Sequence, residues 1–272
     1  MKYVNIQDRR FLTGIADFFL DWKKENESIV ILSPHDDDAL LGAGYMIYEG
    51  LKHHAKVNII IFHSGNAGYS NPSLKKEIVE IRKKETIQAY KAIGVSENHI
   101  MRLDLPDFSG MNYLGWYGPT SEKKDNKIGK FEEILTLLRR LKTTRLLFAN
   151  DYREHMDHSA VAYTGMFYGP QVGDPVVVDW AKPSKIKSYM QYSVWSKFEN
   201  LADRVLIAND EEEMTIRKGI MKWKSQLDII GGILQVREER KTETDGYIEV
   251  YKTVDPRPKM NYQTYKSILN EI

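Results

Sequence analysis

Two short segments of the chain concentrate side chains that could bind a metal ion. Residues 35–38 read His-Asp-Asp-Asp, and residues 154–158 read Glu-His-Met-Asp-His, which places two of the seven histidines in a four-residue window. Carboxylates this close repel one another, so a positive group is expected to hold them. Because the chain has no cysteine, a metal ion at these segments must be held by histidine and carboxylate.

Catalytic zinc suits these residue types, since it takes three protein ligands and keeps one position open for water. His35 and Asp38 lie three residues apart across a predicted strand-to-helix turn and could converge on one ion, with a distant histidine completing the set. Ferrous iron accepts the same ligands. The alternative for residues 35–38 is a cluster that caps the following helix through Asp37 or Asp38. For residues 154–158 the alternative is an ordinary polar loop.

The elements that must position these segments alternate between strand and helix. The predicted strands cover residues 28–33, 56–62, 99–105, 145–150, 187–195 and 204–208, and the predicted helices cover residues 38–52, 73–93, 130–142 and 211–230. Continuous apolar strands between helices favour a parallel sheet covered on both faces. We therefore expect an α/β fold with a Rossmann-like, doubly wound and mostly parallel sheet. The carboxyl ends of its first and fourth strands would bring both segments to one ligand-binding edge.

The length and composition of the chain indicate its number of domains, its partners and its location. The 272 residues suit a single domain over 1–272, with a core of about 27–230 and an appended hairpin or strand in 231–272. Lysine and arginine number 39 against 38 acidic residues, so no bulk charge recruits nucleic acid. No apolar run is long enough for an integral membrane segment. A cytoplasmic location fits the lack of a secretory signal pattern, and residues 11–22 are predicted as an amphipathic helix.

Both metal-binding segments resemble motifs of one enzyme family. The stretch "SPHDDDALLGAG" resembles the His-Pro-Asp-Asp-Glu motif of the PIG-L/LmbE-like zinc-dependent N-deacetylases, and "EHMDH" resembles their later His-x-Asp-His motif. Between them, "IRKKETIQAYKAIGV" (81–95) is similar to the family's Arg-x-x-Glu helix, and "PDFSGM" (106–111) is similar to its acidic loop. Late in the chain, "KGIMKWKSQ" (218–226) resembles a Lys-rich helix that ends in Ser-Gln. The resemblance spans residues 28–230.

The resemblance implies removal of an N-acetyl group from an N-acetylated amino sugar or related glycoconjugate by metal-activated water. The implied ligands of Zn²⁺ or Fe²⁺ are His35, Asp38 and His158. Asp37 would be the general base, His155 the general acid or the stabiliser of the oxyanion, and Asp157 the residue that orients a histidine, with His155 as the first candidate. The implied partner is a small amino-sugar substrate, and the resemblance is consistent with a homo-oligomer.

Two positions depart from the family pattern. Asp36 stands where the family usually has proline, and Ala39 stands where it usually has glutamate. The extra carboxylate of Asp36 would alter metal preference or substrate charge, and Ala39 would remove a partner of the metal ligands. The sequence alone assigns no role to Asp36.

Arg82 and Asp107 are the candidates for binding the substrate. Arg82 would hold a hydroxyl or phosphate group, or it would be an exposed helix residue paired with Glu80 or Glu85. Asp107 would bind sugar hydroxyls, or it would form a turn in "LPDFSG". The aromatic residues at positions 113, 116 and 117 would stack on a sugar ring or form a small local core.

Three other functions fit parts of the same pattern. A Mg²⁺-dependent phosphatase of the haloacid-dehalogenase type would use Asp36 and Asp38 as nucleophile and acid, but it leaves the histidines without a role. A dinucleotide-binding site needs a glycine-rich turn after the first strand, where this chain has carboxylates that would repel a pyrophosphate. A catalytically inactive sugar-binding member would need neither Asp37 nor His155. The deacetylase therefore ranks first.

Overall fold

A nine-stranded sheet organises the residues that the structure, a computed structural model, describes: 1–115, 129–243 and 246–272. The strands are β1 (Lys2–Asn5), β2 (Arg10–Leu12), β3 (Ser28–Ser33), β4 (Lys56–His63), β5 (Ile100–Leu105), β6 (Arg145–Ala149), β7 (Ser188–Tyr192), β8 (Arg204–Ala208) and β9 (Tyr247–Val254). Their order across the sheet is β2-β1-β8-β9-β7-β6-β3-β4-β5. The six strands from β3 to β8 correspond to the six strands predicted from the sequence.

The sheet has a parallel half and an antiparallel half. Neighbours from β7 through β6, β3 and β4 to β5 pair in parallel. Neighbours from β2 through β1, β8 and β9 to β7 pair antiparallel. The α/β class is therefore confirmed, but the sheet is mixed rather than mostly parallel as predicted. The prediction missed β1 and β2 because strands of four and three residues are too short to show an alternating pattern.

The parallel half places a crevice where β3 and β6 lie side by side. Read across this half, the strands occur in the chain order third, second, first, fourth and fifth, so the order reverses between β3 and β6. Ligand sites form at such a reversal, outside the carboxyl ends of the strands. Both strands are buried along their whole length, and Ile31 of β3 pairs with Ile59 on one side and Leu147 on the other. Residues 35–38 and 154–158 follow these two strands.

Helices connect and cover the strands. In the described ranges they are α1 (Ile15–Phe18), α2 (Asp38–Lys52), α3 (Ile78–Ala92), α4 (Phe131–Arg140), α5 (Met156–Phe167), α6 (Asp210–Ile220), α7 (Leu227–Glu239) and α8 (Tyr262–Asn270). The helix predicted over 38–52 is confirmed, and α5 begins directly after His155. The first turns of α2 and α5 therefore lie at the crevice. Among the helices of the described residues, none combines the length and the apolar content needed to cross a membrane.

Three expectations need correction. Residues 11–22 form no long amphipathic helix, because β2 and the single turn of α1 occupy this stretch. The helix predicted over 211–230 divides into α6 and α7, and α7 continues through Gly231 and Gly232 instead of ending before them. The C-terminal region predicted as an appendage contains β9, which lies inside the sheet between β7 and β8.

Candidate active site

A cavity of ≈ 270 Å³ opens at the edge of the sheet beyond β3 and β6. Seven of the eight site residues predicted from the sequence line it: His35, Asp37, Asp38, Arg82, Asp107, His155 and His158. The eighth, Asp157, is buried and contacts the ring of His35. The ends of the first and fourth predicted strands thus bring both segments together.

Three residues form a compact group that could hold a metal ion. His35 Nδ1 lies 3.1 Å from Oδ2 of Asp38, and His158 Nε2 lies 3.2 Å from the same oxygen. Around a tetrahedral zinc ion with bonds of about 2.0–2.1 Å, ligand atoms lie roughly 3.3 Å apart. Two imidazole nitrogens and one carboxylate oxygen at this spacing therefore fit zinc or ferrous iron.

A second group of ligand-type atoms shares His35 with the first. His35 Nε2 lies 3.2 Å from Oδ2 of Asp157, and His155 Nδ1 lies 3.5 Å from the same oxygen. The first group is better supported, because the carboxylate of Glu154 holds the other ring nitrogen of His158. A carboxylate in that position commonly orients a metal-binding histidine.

Protonated imidazole rings balance the charge of the first group. Burial disfavours a charged ring, but hydrogen bonds to Asp157 and Asp38 outweigh it and raise the pKa of His35 to about 10. Burial also opposes a charged His158, yet Asp38 and Glu154 raise the pKa of His158 to about 9. The two rings hold the pKa of Asp38 well below its usual range in spite of its burial. A metal ion would replace these protons, since it binds the neutral rings.

Asp37 and His155 line the cavity with pKa values shifted in opposite directions. Burial raises the pKa of Asp37, and the guanidinium of Arg82 opposes the shift from 3.4 Å away. Burial and the charge of His35 lower the pKa of His155, so its ring is neutral at pH 7. Because Nδ1 of His155 accepts the backbone N–H of Asp157 at 3.2 Å, we place the ring proton on Nε2. The cavity is therefore lined by both a proton acceptor and a hydrogen-bond donor.

The carboxylate of Asp157 lies against two histidine rings, those of His35 and His63. Its Oδ2 lies 3.2 Å from His35 Nε2, and its Oδ1 lies 3.1 Å from His63 Nε2. Both distances are shorter than the 3.5 Å to His155 Nδ1. His63 is fully buried at the end of β4, and its Nδ1 lies 2.9 Å from the carbonyl oxygen of Pro34. Although burial opposes it, the nearby rings of His35 and His63 and the backbone N–H of Phe108 hold the pKa of Asp157 far below its usual range.

Glu154 is the main residue that the sequence analysis missed. Its Oε2 is hydrogen-bonded to Nδ1 of His158, and its Oε1 accepts the backbone N–H groups of residues 194–196 at 3.1–3.2 Å. The buried side chain thereby joins the start of α5 to the loop after β7, whose Trp195 lines the cavity. A signal was present in the sequence, since Glu154 lies only four residues before His158 and α5 begins between them.

Asp36 does not line the cavity. Its carboxylate is fully buried and accepts hydrogen bonds from Arg82 Nε at 2.8 Å, from Thr86 Oγ1 at 3.0 Å and from Arg102 Nη1. Burial opposes its charge, but the two guanidinium groups hold its pKa below the usual range. A carboxylate enclosed in this way cannot attack a substrate, so the geometry does not support the phosphatase. The helix-cap alternative also fails for Asp37, whose side chain makes no capping hydrogen bond to α2.

The two predicted substrate-binding residues also hold the walls of the cavity. Arg82 is buried rather than exposed, and its guanidinium contacts two aspartates and Gln226 instead of the neighbouring glutamates. Asp107 accepts two backbone N–H groups of the loop after β4, each at 2.8 Å. Of the predicted aromatic residues, Tyr113 packs against the hydrophobic core, whereas positions 116 and 117 lie outside the described residues.

A larger cavity of ≈ 600 Å³ shares one wall with the first. The shared residue is Trp195, an exposed side chain in the loop after β7. None of the eight predicted site residues lines the larger cavity. The predicted site residues therefore lie at the smaller cavity and not at the larger one.

Solved structures with this fold include proteins described with different activities. An N,N'-diacetylchitobiose deacetylase from Pyrococcus horikoshii matches with a TM-score of 0.67 and 17% identity, covering 85% of this chain and 84% of that chain. The conserved protein TT1542 from Thermus thermophilus gives 0.66 and 17%, covering 86% and 97%. GalB, the 4-carboxy-2-hydroxymuconate hydratase from Pseudomonas putida, gives 0.68 and 15%, covering 87% and 99%. At these identities the likeness establishes the fold alone.

Sequence comparison establishes the family. No curated protein sequence matches the chain significantly. The model of the PIG-L family, described as GlcNAc-PI de-N-acetylase, matches residues 30–167, just over half of the chain. The match begins in β3 and ends at the last residue of α5, so it contains both segments that build the cavity. The chain therefore belongs to the PIG-L family.

Proposed function

We propose that this protein is a metal-dependent hydrolase that removes the N-acetyl group from an N-acetylated amino sugar or related glycoconjugate. The observation that carries the proposal is that Asp37 and His155 share one cavity with the ligand-type group of His35, Asp38 and His158. At ≈ 270 Å³ the cavity lies near the lower end of small-molecule sites, which suits a single sugar ring. Family membership supports the same reaction, since the family description names a de-N-acetylase.

His35, Asp38 and His158 would hold the metal ion, either Zn²⁺ or Fe²⁺, for which their donor atoms and spacing are suited. When bound, the ion supplies Lewis-acid activation of water and of the amide carbonyl. Two carboxylates that are not themselves ligands would orient the rings of the ligands. Glu154 is hydrogen-bonded to the ring of His158, and Asp157 lies 3.2 Å from Nε2 of His35.

Asp37 would act as the general base. Burial raises its pKa, which makes its carboxylate a stronger proton acceptor. It would take a proton from the attacking water as the water oxygen bonds to the amide carbon. When the carbon–nitrogen bond breaks, the proton would pass from Asp37 to the departing nitrogen, so that acetate and a free amine leave.

His155 would stabilise the oxyanion that forms on the carbonyl oxygen. Its neutral ring carries the proton on Nε2 and donates it as a hydrogen bond while negative charge develops. The ring of Phe108 packs against it with 4.5 Å between centroids, which restricts its rotation. Phe108 and Trp195 would also offer aromatic faces to the sugar ring, with Arg82 and Asp107 as polar contacts.

The test is release of acetate and amine by protein loaded with one equivalent of zinc, or of ferrous iron without oxygen. N-acetylglucosamine and N,N'-diacetylchitobiose are suitable first substrates. We expect equal amounts of the two products, and we expect Asp37→Asn to lose them while it keeps its metal ion. If fully loaded protein releases no acetate from a panel of N-acetylated amino sugars, the proposal is wrong.

Two alternatives remain distinguishable in the same assay. The structural likeness to GalB favours a hydratase as the second candidate, since a hydratase has this fold. Such an enzyme would add water to a carbon–carbon double bond and would release neither acetate nor amine. An inactive sugar-binding member would bind N-acetylglucosamine in calorimetry without turning it over.

A further inference from the structure

Asp36 is a buried charge to which the proposed reaction gives no role. We propose that Asp36 is a positioning residue: together with Arg102, it fixes the guanidinium of Arg82 in the wall of the cavity, where that group binds the substrate. The statement on substrate binding rests on the proposed function. The positioning of Arg82 rests on the contacts alone.

Asp36 binds both arginines at once. Its Oδ2 accepts Nε of Arg82 at 2.8 Å, and its Oδ1 accepts Nη1 of Arg102 and Oγ1 of Thr86, the latter at 3.0 Å. The backbone oxygen of Asp36 accepts the hydroxyl of Tyr90 at 3.1 Å. Groups from α3 and β5 therefore hold this side chain in one place.

Arg102 supplies the charge that permits a third consecutive carboxylate to be buried. Without it, Arg82 alone would balance both Asp36 and Asp37, since it contacts the two carboxylates. Asp38 is balanced separately by imidazole rings. An unpaired buried charge is strongly destabilising, so Asp36 and Arg102 form a matched pair.

These contacts leave Arg82 one orientation. Besides its Nε contact, its Nη1 donates to Oε1 of Gln226 at 2.6 Å, and its Nη2 lies 3.4 Å from Oδ1 of Asp37. The loop after β4 lies directly on the guanidinium, because a Cβ at Gly65 or Gly68 would come within 2.5 Å or 2.3 Å of its nitrogens. A guanidinium has five N–H donors. These three contacts leave two of them for an oxygen atom in the cavity that Arg82 lines.

Chemical modification of arginine tests the positioning without any assumption about the reaction. Phenylglyoxal is added, and the modification rate of each arginine is followed by peptide mass spectrometry. In Asp36→Asn, Arg82 should react at least about fivefold faster than in the unaltered protein. The buried Arg139 and Arg145 report general unfolding, and their rates should not change. Asp104→Asn is the matched control, because this exposed carboxylate contacts Arg102 but not Arg82.

An unchanged modification rate of Arg82 in Asp36→Asn would overturn the proposal. If Asp36→Asn alone does not fold, the double variant Asp36→Asn/Arg102→Gln keeps the charges balanced. It lacks the same carboxylate contact, so Arg82 should become reactive in it as well. Continued protection of Arg82 in the double variant would equally overturn the proposal.

Kinetics test the consequence for substrate binding. With an N-acetylated amino sugar, Asp36→Asn should raise KM about tenfold and lower kcat by a smaller factor, because Arg82 binds the substrate and also contacts the carboxylate of Asp37. In an Arg82→Ala background the same change should add nothing, since both residues act through one group. Equal effects on KM in the two backgrounds would show that Asp36 does not act through Arg82. If no substrate is turned over, the proposed function fails, while the modification experiment still decides the positioning.

Discussion

The rings of His35 and His158 both contact the carboxylate of Asp38. The carboxylate partners raise the pKa of one ring to about 10 and that of the other to about 9, so both rings are protonated at pH 7. A metal ion binds imidazole only after the proton leaves. The carboxylates that would attract the metal ion therefore also make the rings bind protons more tightly. Because protons and the ion compete for the same nitrogen atoms, metal affinity should depend on pH.

Zinc binding is accordingly expected to release roughly two protons per ion at pH 7, because both His35 and His158 must become neutral. The apparent affinity should rise as the pH increases towards about 9, where half of His158 has lost its proton without the ion. Calorimetric titration in buffers of different ionisation enthalpy measures the release. A release near zero at pH 7 would contradict this prediction.

The zinc content of a His155 variant shows which of the two ligand-type groups that share His35 binds the ion. His155→Gln should lower kcat at least about 100-fold, as expected for loss of an oxyanion-stabilising donor, while zinc content stays near one ion per chain. Asp38→Ala, a change within the favoured group, should lose the ion. If His155→Gln loses its zinc, the ion belongs instead to the group that contains Asp157.

The motifs pointed to the residues of the cavity because each segment lies within a few residues of the end of a buried strand. They could not assign Asp36, whose arginine partners are 46 and 66 residues away in the sequence. Such contacts depend on which strands become neighbours in the sheet, and local patterns do not specify that order. Glu154 was within reach of sequence reasoning, since its partner His158 is only four residues away.

Among the helices, the end of α7 was predicted wrongly because of two glycines. Two consecutive glycines usually weaken a helix, but α7 runs through Gly231 and Gly232 because Ile230 and Ile233 on either side of them are buried. Packing of one face thus outweighs the low helix propensity of the glycines. The opposite holds near the N-terminus, where helix-like periodicity over 11–22 is overridden by the pairing of β2 with β1.

Gly231→Ala is expected to stabilise the protein by about 0.5–1 kcal/mol, because alanine favours the helical backbone and glycine does not. A Cβ at this position would meet no atom within 4 Å. Urea unfolding followed by circular dichroism measures the change. Gly219→Ala in α6 is the matched control and should destabilise, since its Cβ would lie 2.9 Å from Leu40. Lower stability of Gly231→Ala would show that α7 does not continue through the glycines.

At the scale of the whole molecule, β9 joins the two halves of the sheet. It pairs with β8 on one side and with β7 on the other, and its Tyr251 is fully buried. The parallel half holds the candidate site, whereas β8, β1 and β2 follow one another on the far side of β9 in the sheet. The sequence pattern of 247–254 was compatible with a strand, but nothing local showed that the strand is internal.

Two C-terminal deletions should therefore have very different effects on thermal unfolding. Removing residues 259–272 takes away α8, whose residues are all exposed, and should shift the melting temperature by less than about 2 °C. Removing residues 247–272 also takes away β9 and should abolish cooperative unfolding. Thermal denaturation followed by circular dichroism compares the two. A cooperative transition in the longer deletion would mean that the two halves do not depend on β9.

The position of β9 also bears on the order in which the chain can fold. During synthesis both of its neighbours are made before it, and each then presents an open edge that can pair with another chain. The sheet is complete only when β9 is inserted between β7 and β8. This step pairs residues far apart in the sequence and is therefore slow. We expect newly made chains to depend most on protection from aggregation in that interval.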